Sequence, residues 1–307
     1  MSDFDFIVNP AAGQGAGGKL QGLLEKILRR RGVRYAMHLT ERPGHATKLA
    51  RTSSAQVVVA VGGDGTINEV ANGLIGTEKQ LGVIPAGSGN DFIKSANLSS
   101  NLTGALDQVL SGISRKIDIG IVVCSANAHP ATVEGNPDAR YFVNGIGIGF
   151  DAAVAVRTRQ IRFLTGIPLY LAAVFQVLGR YKSPHFEIKS DAFQEEGRRL
   201  LIAVGNGTCA GGGFYLTPDA VIDDGLLDVC LIDDIPVATI LRILPRVLWG
   251  GHRTAKQAKF KRCKTLNLSS SDTFYVHADG EIVGESVRHV GILIKHKALS
   301  VVTGGAT

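Results

Sequence analysis

Residues 57–61 read VVVAV, and the chain leaves this run through GGDGT directly into INEVANGL. A strand that is apolar on every residue must be covered on both faces, and a parallel sheet layered by helices is what covers it. The flanking sequence has the matching rhythm. FDFIV reads as a strand, and GKLQGLLEKILRR puts Leu20, Leu23, Leu24, Ile27 and Leu28 on one helical stripe. RYAMHL, LGVIPA and RKIDIGIVV are further strand patterns, separated by the helical GHATKLARTS, INEVANGL and LTGALDQVL. Strands alternating with helices predict a doubly wound parallel sheet.

The rhythm changes near Tyr141. YFVNGIGIGF, HFEIKS, RRLLIAVGN, GLLDVCLID, KTLNLS, TFYVHADGE and VGILIKHKALSVV are strand-like runs separated by Gly- and Asp-rich turns. Helical patterns persist mainly over 152–179 and 236–249. The second half is therefore expected to be a β-sandwich or barrel. The expected division is an α/β domain over 1–125 and a β domain over 126–290, with SANAHPATVEGNPDAR an exposed loop near the boundary.

Composition sets limits. The chain has 307 residues, 45% of them hydrophobic and 20% charged, enough apolar material for one large core or two ordinary ones. The four cysteines have no CxxC spacing, which argues against a zinc or disulfide framework and for a reducing cytoplasmic setting. MSDFDFIVNP runs into a strand behind acids and has no signal-peptide pattern. FLTGIPLYLAAVFQVLG is short of a bilayer's roughly 20 apolar residues and contains Pro168 and Gln176, so a buried helix is expected there.

The chemistry gathers at strand ends. NPAAGQGAGG follows the first strand, TERPGHA the second, GGDGT the third and PAGSGND the fourth. In open α/β sheets ligands bind at the carboxyl ends of strands, and Gly with small hydroxyl residues lets a backbone approach phosphate. Neither a Walker G-x-x-x-x-G-K-[ST] nor a Rossmann G-x-G-x-x-G stands at the right place. Asp64 in the glycine turn would repel a bare phosphate, but it suits one whose charge is shared with Mg²⁺. Asp91 in GND and Asp118 in KIDIG are candidates for the same network, with a helix N-terminal or turn acid the alternative for each. Thr66 to Glu69 reads as a capping box.

Taken together, NPAAGQG, TERPGHA, GGDGTINEVANGL, PAGSGNDF, GGGFYLTPDAVIDDGLLDV and HADGE, in that order, resemble the diacylglycerol kinase catalytic-domain family, in particular soluble bacterial lipid kinases of the DgkB and YegS type. The resemblance spans nearly the whole chain. NAD kinases and phosphofructokinases share only the GGDGT turn. It implies an N-terminal phosphofructokinase-like domain, a C-terminal β-sandwich and an active site in the cleft between them, with a final strand near 291–303 returning to the first domain. It implies ATP on Asn9, Pro10, Ala11, Ala12, Gly13, Thr40, Gly63, Asp64, Gly65, Thr66, Ile67, Asn68, Glu69 and Ser88. The family usually has Thr in place of Ser88, and Gly89 also departs from a commoner small residue. In VIDDGLLDV the resemblance implies a second metal held by the Asp224 carboxylate and the backbone oxygens of Val221 and Leu226. An Asp-Gly turn between two strands is the alternative there.

For catalysis the resemblance implies Glu281 as proton acceptor, with Asp64 coupling metal to nucleotide. A hairpin turn with solvated acids is the other reading of HADGE, which leaves Asp279 for comparison and His277 as structural. Asp151 would orient the acceptor hydroxyl, as an acid does in related sphingosine kinases. The implied function is ATP-dependent phosphorylation of a lipid hydroxyl, with diacylglycerol as the leading acceptor. The alternatives are a sphingoid base, ceramide, phosphatidylglycerol or NAD, or a non-catalytic lipid- or nucleotide-binding regulator.

Thr239 to Lys264 carries Arg242, Arg246, Arg253, Lys256, Lys259, Lys261, Arg262 and Lys264 and no acid, beside Ile240, Leu241, Leu244, Val247, Leu248 and Trp249. That mixture suits peripheral contact with an anionic membrane, or an ordinary packed helix followed by a cationic strand. The net charge of +6 comes with no recognised nucleic-acid motif, so nucleic acid is not expected as a partner. A homodimer is left open.

Overall fold

The computed structural model describes residues 2–87, 89–130, 132–161 and 166–304. The chain divides into two compact units, Met1–Ile119 with His296–Thr307, and Gly120–Lys295.

The first unit alternates as its sequence dictates. β1 (Phe4–Val8), α1 (Ala12–Arg30), β2 (Tyr35–Leu39), α2 (His45–Thr52), β3 (Val57–Gly62), α3 (Asp64–Leu74) and β4 (Gln80–Pro85) follow in turn, then α4 (Asp91–Ser95) and α5 (Leu102–Ser111). The strands lie in the order β2-β1-β3-β4, all parallel. Ser300 and Val301 add a fifth parallel strand by pairing with Gln80 and Leu81. All six residues of β3 are buried. On one face Phe6, Val8, Val59 and Val61 form a core with Leu24 and Leu28 of α1 and Leu106 and Val109 of α5. Ile7, Val58 and Ala60, of opposite parity, are equally buried, on the face where α2 and α3 pack. The strand β5 (Ser114–Ser125) carries the chain from one unit into the other.

In the second unit β6 (Arg140–Phe142) pairs antiparallel with β5, and residues 126–130 and 132–139 between them belong to no strand or helix. β7 (Gly145–Gly149), α6 (Phe150–Thr158), α7 (Gly166–Leu178), β8 (His185–Ser190), β9 (Gln194–Gly205), β10 (Leu227–Asp233), α8 (Val237–Val247), β11 (Ala258–Cys263), β12 (Thr265–Ala278) and the first part of β13 (Glu281–Val302) complete it, and the end of β13 is the strand that returns to the first unit. The helical pattern over 152–179 thus resolves into α6 and α7, while residues 162–165 lie outside the described residues.

Two long strands make the sandwich. The first half of β9 pairs with β8 and its second half with β7. β12 does the same, with Leu266–Ser270 on β8 and Val276–Ala278 on β7. Each strand changes layer at an irregularity, β9 near Gly197 (φ +134°) and β12 where its register shifts between Ser269 and Phe274. Phe186, Ile146, Ile202, Leu266, Leu268, Phe274 and Val290 fill the space enclosed.

Among the described residues no helix is long and apolar enough to cross a membrane.

Candidate functional site

In the first unit three strand ends close on one another. Asn9 anchors the first loop: its Oδ1 accepts the Ala11 N–H at 3.0 Å, and its Nδ2 donates to Thr66 Oγ1 at 3.0 Å. Gly13, Gln14 and Gly15 all have positive φ (57°, 58° and 92°), so the right-handed part of α1 begins only after them. A side chain on Gly13 would run into the Ala86 carbonyl, and one on Gly87 would come within 2.6 Å of the Gly63 Cα. Asn9 to Gly13, Gly63 to Thr66 and Ala86 to Gly87 therefore meet backbone to backbone, as small residues alone permit. Thr40, at the end of β2, donates its N–H to Val8 O at 2.9 Å. Ser88 lies outside the described residues.

Asp64 is the first residue of α3, where the helix dipole favours an acid. Its Oδ1 accepts the Phe92 N–H at 3.0 Å, which brings it beside buried Asp91 at the start of α4. Asp91 in turn lies 3.5 Å from Lys94 Nζ. Asp118 is fully buried and holds the returning strand, accepting the Lys297 N–H at 2.7 Å beside His296 Nδ1 at 2.8 Å.

The capping box expected at Thr66–Glu69 is not there. Gly63 is the N-cap, so α3 begins earlier and Thr66 falls within its first turn. Glu69 caps another helix instead. Its carboxylate accepts the Gly44 N–H at 2.8 Å and the Ala46 N–H at 3.1 Å, supplying acceptors at the N-terminus of α2.

In the second unit HADGE is a two-residue hairpin. Asp279 (φ +47°) and Gly280 (φ +83°) take the left-handed conformation, and Ala278 faces Glu281 across the turn. Asp279 is no solvated acid. It accepts the N–H groups of Val143 at 2.8 Å, Asn144 at 3.0 Å and Gly145 at 2.8 Å. Glu281 is exposed, and its carboxylate has no hydrogen-bond partner among the described residues.

Beside this turn lies an apolar pocket of about 840 Å³, counting its solvent-open mouth. Phe150, Tyr170, Phe214, Leu216, Ile240 and Val247 are among its walls. Gly280, Asp151 and His277 also line it. His277 Nε2 lies 3.1 Å from Asp151 Oδ2, and Asp151 Oδ1 accepts the Ala152 N–H at 2.8 Å. A side chain on Gly147 would strike both Asp151 and His277, so GIGIG has room for this pair only because Gly147 has none. Burial, then the nearby Asp151 carboxylate, pushes the Tyr170 phenol well above its usual range and the Cys230 thiol up to about 12. Both stay neutral at ordinary pH. The His277–Asp151 contact joins residues 126 positions apart and had no local sequence signal.

Asp224 sits in the turn before β10. Its Oδ1 accepts the Leu226 N–H at 3.0 Å, and its Oδ2 lies 3.7 Å from Arg262. The guanidinium already supplies a positive charge at this loop, and Val221 is 45% exposed. Among the described residues no group of three His, Cys, Asp or Glu side chains is gathered to hold a metal. The Asp224 carboxylate is thus the one side chain of the expected set of Val221, Asp224 and Leu226, whose other two donors would be backbone oxygens.

Two family models divide the chain between them. Residues 4–122 match the diacylglycerol kinase catalytic domain, and residues 144–303 match the YegS C-terminal NAD kinase β-sandwich-like domain. This chain belongs to the diacylglycerol kinase catalytic-domain family. The chain is 30% identical over 266 residues to proteins named diacylglycerol kinase from Staphylococcus aureus strains JH9 and Newman, covering 84% of this chain and 79% of each relative. Its fold is similar to the crystal structure of a diacylglycerol kinase from Bacillus anthracis, with a TM-score of 0.70 and 21% identity over 99% of this chain and 97% of that one.

Proposed function

We propose that this family member is an ATP-dependent lipid kinase that moves the γ-phosphoryl group to a lipid hydroxyl, with diacylglycerol the leading acceptor. The observation that carries the acceptor side is the apolar pocket with the Asp151–His277 pair and Gly280 on its wall, one residue before exposed Glu281. A hydrocarbon chain gains from leaving water for such walls, while the hydroxyl end needs the few polar groups present.

The donor side rests on the strand-end loops. Asn9 to Gly13, Gly63 to Thr66 and Ala86 to Gly87 offer close backbone approach to phosphate. Asp64 and Asp91, joined through the Phe92 N–H, have the hard oxygen donors that suit Mg²⁺ bound together with ATP. When bound, that ion would neutralise phosphate charge. Glu281 takes the acceptor's hydroxyl proton as the new oxygen–phosphorus bond forms and the bond to ADP breaks. An exposed carboxylate with no hydrogen-bond partner among the described residues is free to accept that proton.

A panel of lipid alcohols incubated with γ-labelled ATP and Mg²⁺ tests the reading. Label is expected in phosphatidic acid when diacylglycerol is supplied. Label appearing only with a sphingoid base, ceramide, phosphatidylglycerol or NAD reassigns the acceptor, and label in none of them leaves a non-catalytic binding protein.

A further inference from the structure

Helix α8 is apolar on two faces. Ile240, Ile243 and Val247 are buried and line the pocket. Val237, Leu241 and Leu248, at i, i+4 and i+11, form a second stripe and are 47%, 38% and 43% exposed. Trp249, just beyond the helix, is 64% exposed. Core packing accounts for the first face and does not account for the second.

The charge beside that second face is of one sign. Arg242 and Arg246 share a stripe with Trp249, at i, i+4 and i+7, and no acid occurs between Ile235 and Lys264. Arg242 and Lys256 are exposed and have no ion-pair partner among the described residues, and Arg246 bonds only the neutral Thr254 hydroxyl at 3.1 Å. Three of the cations further along are paired. Arg253 pairs with Asp219 at 2.6 Å, Lys259 with Glu195 at 3.2 Å and Arg262 with Asp228 at 3.0 Å. Lys261 and Lys264 on β11 and beyond it are also exposed without an ion pair among the described residues, so the tract keeps uncompensated cations in two places, and those on α8 are Arg242 and Arg246, on the stripe of Trp249.

We infer that the outward face of α8 docks on an anionic lipid bilayer. A tryptophan among leucines suits the headgroup boundary, and uncompensated Arg and Lys beside it complement anionic headgroups. A peptide partner would also meet cations, but it gives no reason for the same helix to wall an apolar pocket with its other face. The inference rests on the acceptor being a membrane lipid. Its test reads binding without ATP or turnover, so the two can fail separately.

Trp249 is the chain's one tryptophan, so its emission reports on this face alone. Titrating the full chain with phosphatidylglycerol vesicles should blue-shift that emission, and phosphatidylcholine vesicles should not. Raising salt from 0.1 to 0.5 M should weaken the binding. The Arg242→Glu, Lys256→Glu pair should weaken it by about 30-fold or more, because each cation at an anionic surface strengthens binding roughly fivefold. Lys116→Glu, an exposed reversal in the first unit, should leave it unchanged. Unchanged emission on anionic vesicles overturns the inference. So does an equal weakening in Lys116→Glu, since net charge and not this face would then govern binding.

Discussion

His277 Nε2 stands 3.1 Å from Asp151 Oδ2, both side chains nearly buried at the wall of the second unit's pocket. Asp151 is fixed by the Ala152 N–H at the start of α6, so the carboxylate can hold the imidazole in one orientation. With Nε2–H donating to Asp151, Nδ1 is left as an acceptor, and it has no hydrogen-bond partner among the described residues. His277→Gln should raise KM for the lipid acceptor by about tenfold or more and leave KM for ATP unchanged, because a buried hydroxyl without its partner loses about 1–3 kcal/mol. Equal changes in both constants would show that the pair does not touch the acceptor.

Gly147→Ala reaches the same pair without altering either member. The added methyl would overlap both Asp151 and His277. It should reproduce the acceptor defect of His277→Gln, and the two changes together should be far from additive. Steady-state kinetics on one lipid at several ATP concentrations measures this.

Asp279→Asn should unfold more readily than the wild type. Its carboxylate accepts three backbone N–H groups, and an amide would turn a donor towards one of them. The expected loss is about 2–4 kcal/mol in urea denaturation of the second unit. Asp279 is therefore no neutral comparison for Glu281.

That role for Asp279 marks the limit of what the sequence discloses. Local patterns were legible. The all-apolar β3, the stripe of α1 apart from Leu23, which is 46% exposed, the strand-end glycines and the Asp-Gly hairpin all lie within a few residues of their cause. Asp279 and Glu281 are both acids at one turn, and only the fold distinguishes them. One is engaged by Val143 to Gly145, and the other by none of the described residues. Glu69 shows the same limit, since its spacing from Thr66 suggested a local cap while its partners lie in α2. The basic tract beyond Thr239 likewise looked uniform until Asp219, Glu195 and Asp228 were found to neutralise part of it.

Gly87→Ala should weaken ATP binding by an order of magnitude or more with little effect on the lipid KM. Its methyl would press on the Gly63 Cα at 2.6 Å and spread the loops that bear Asp64 and Ala86. Nucleotide binding by calorimetry is the measurement. Unchanged affinity would mean that these loops do not form the nucleotide site.

His252 gives a pH dependence. It is buried, its Nε2 faces Leu216 O at 3.3 Å, and Nδ1 has no hydrogen-bond partner among the described residues. Burial lowers its pKa below the ordinary 6.5, with nearby Arg253 and Arg246 adding to the effect and the Leu216 contact opposing it. The unfolded chain therefore takes up the proton first. The neutral histidine costs nothing above pH 6.5, and stability falls as pH drops from there towards the lowered folded value. The slope should flatten in His252→Phe, measured by urea denaturation between about pH 7.5 and 5.

Phosphoryl transfer itself is the most direct test of function. The purified chain is given γ-labelled ATP, Mg²⁺ and diacylglycerol in mixed micelles, and label is followed into phosphatidic acid in single turnovers of the wild type, Asp64→Asn and Glu281→Gln. The wild type should transfer label. Asp64→Asn should be slower by orders of magnitude, and Glu281→Gln by about 10²–10⁴-fold with near-normal ATP binding. Label that never reaches the lipid with the wild type contradicts the kinase reading, and full transfer by Glu281→Gln shows that the proton goes elsewhere.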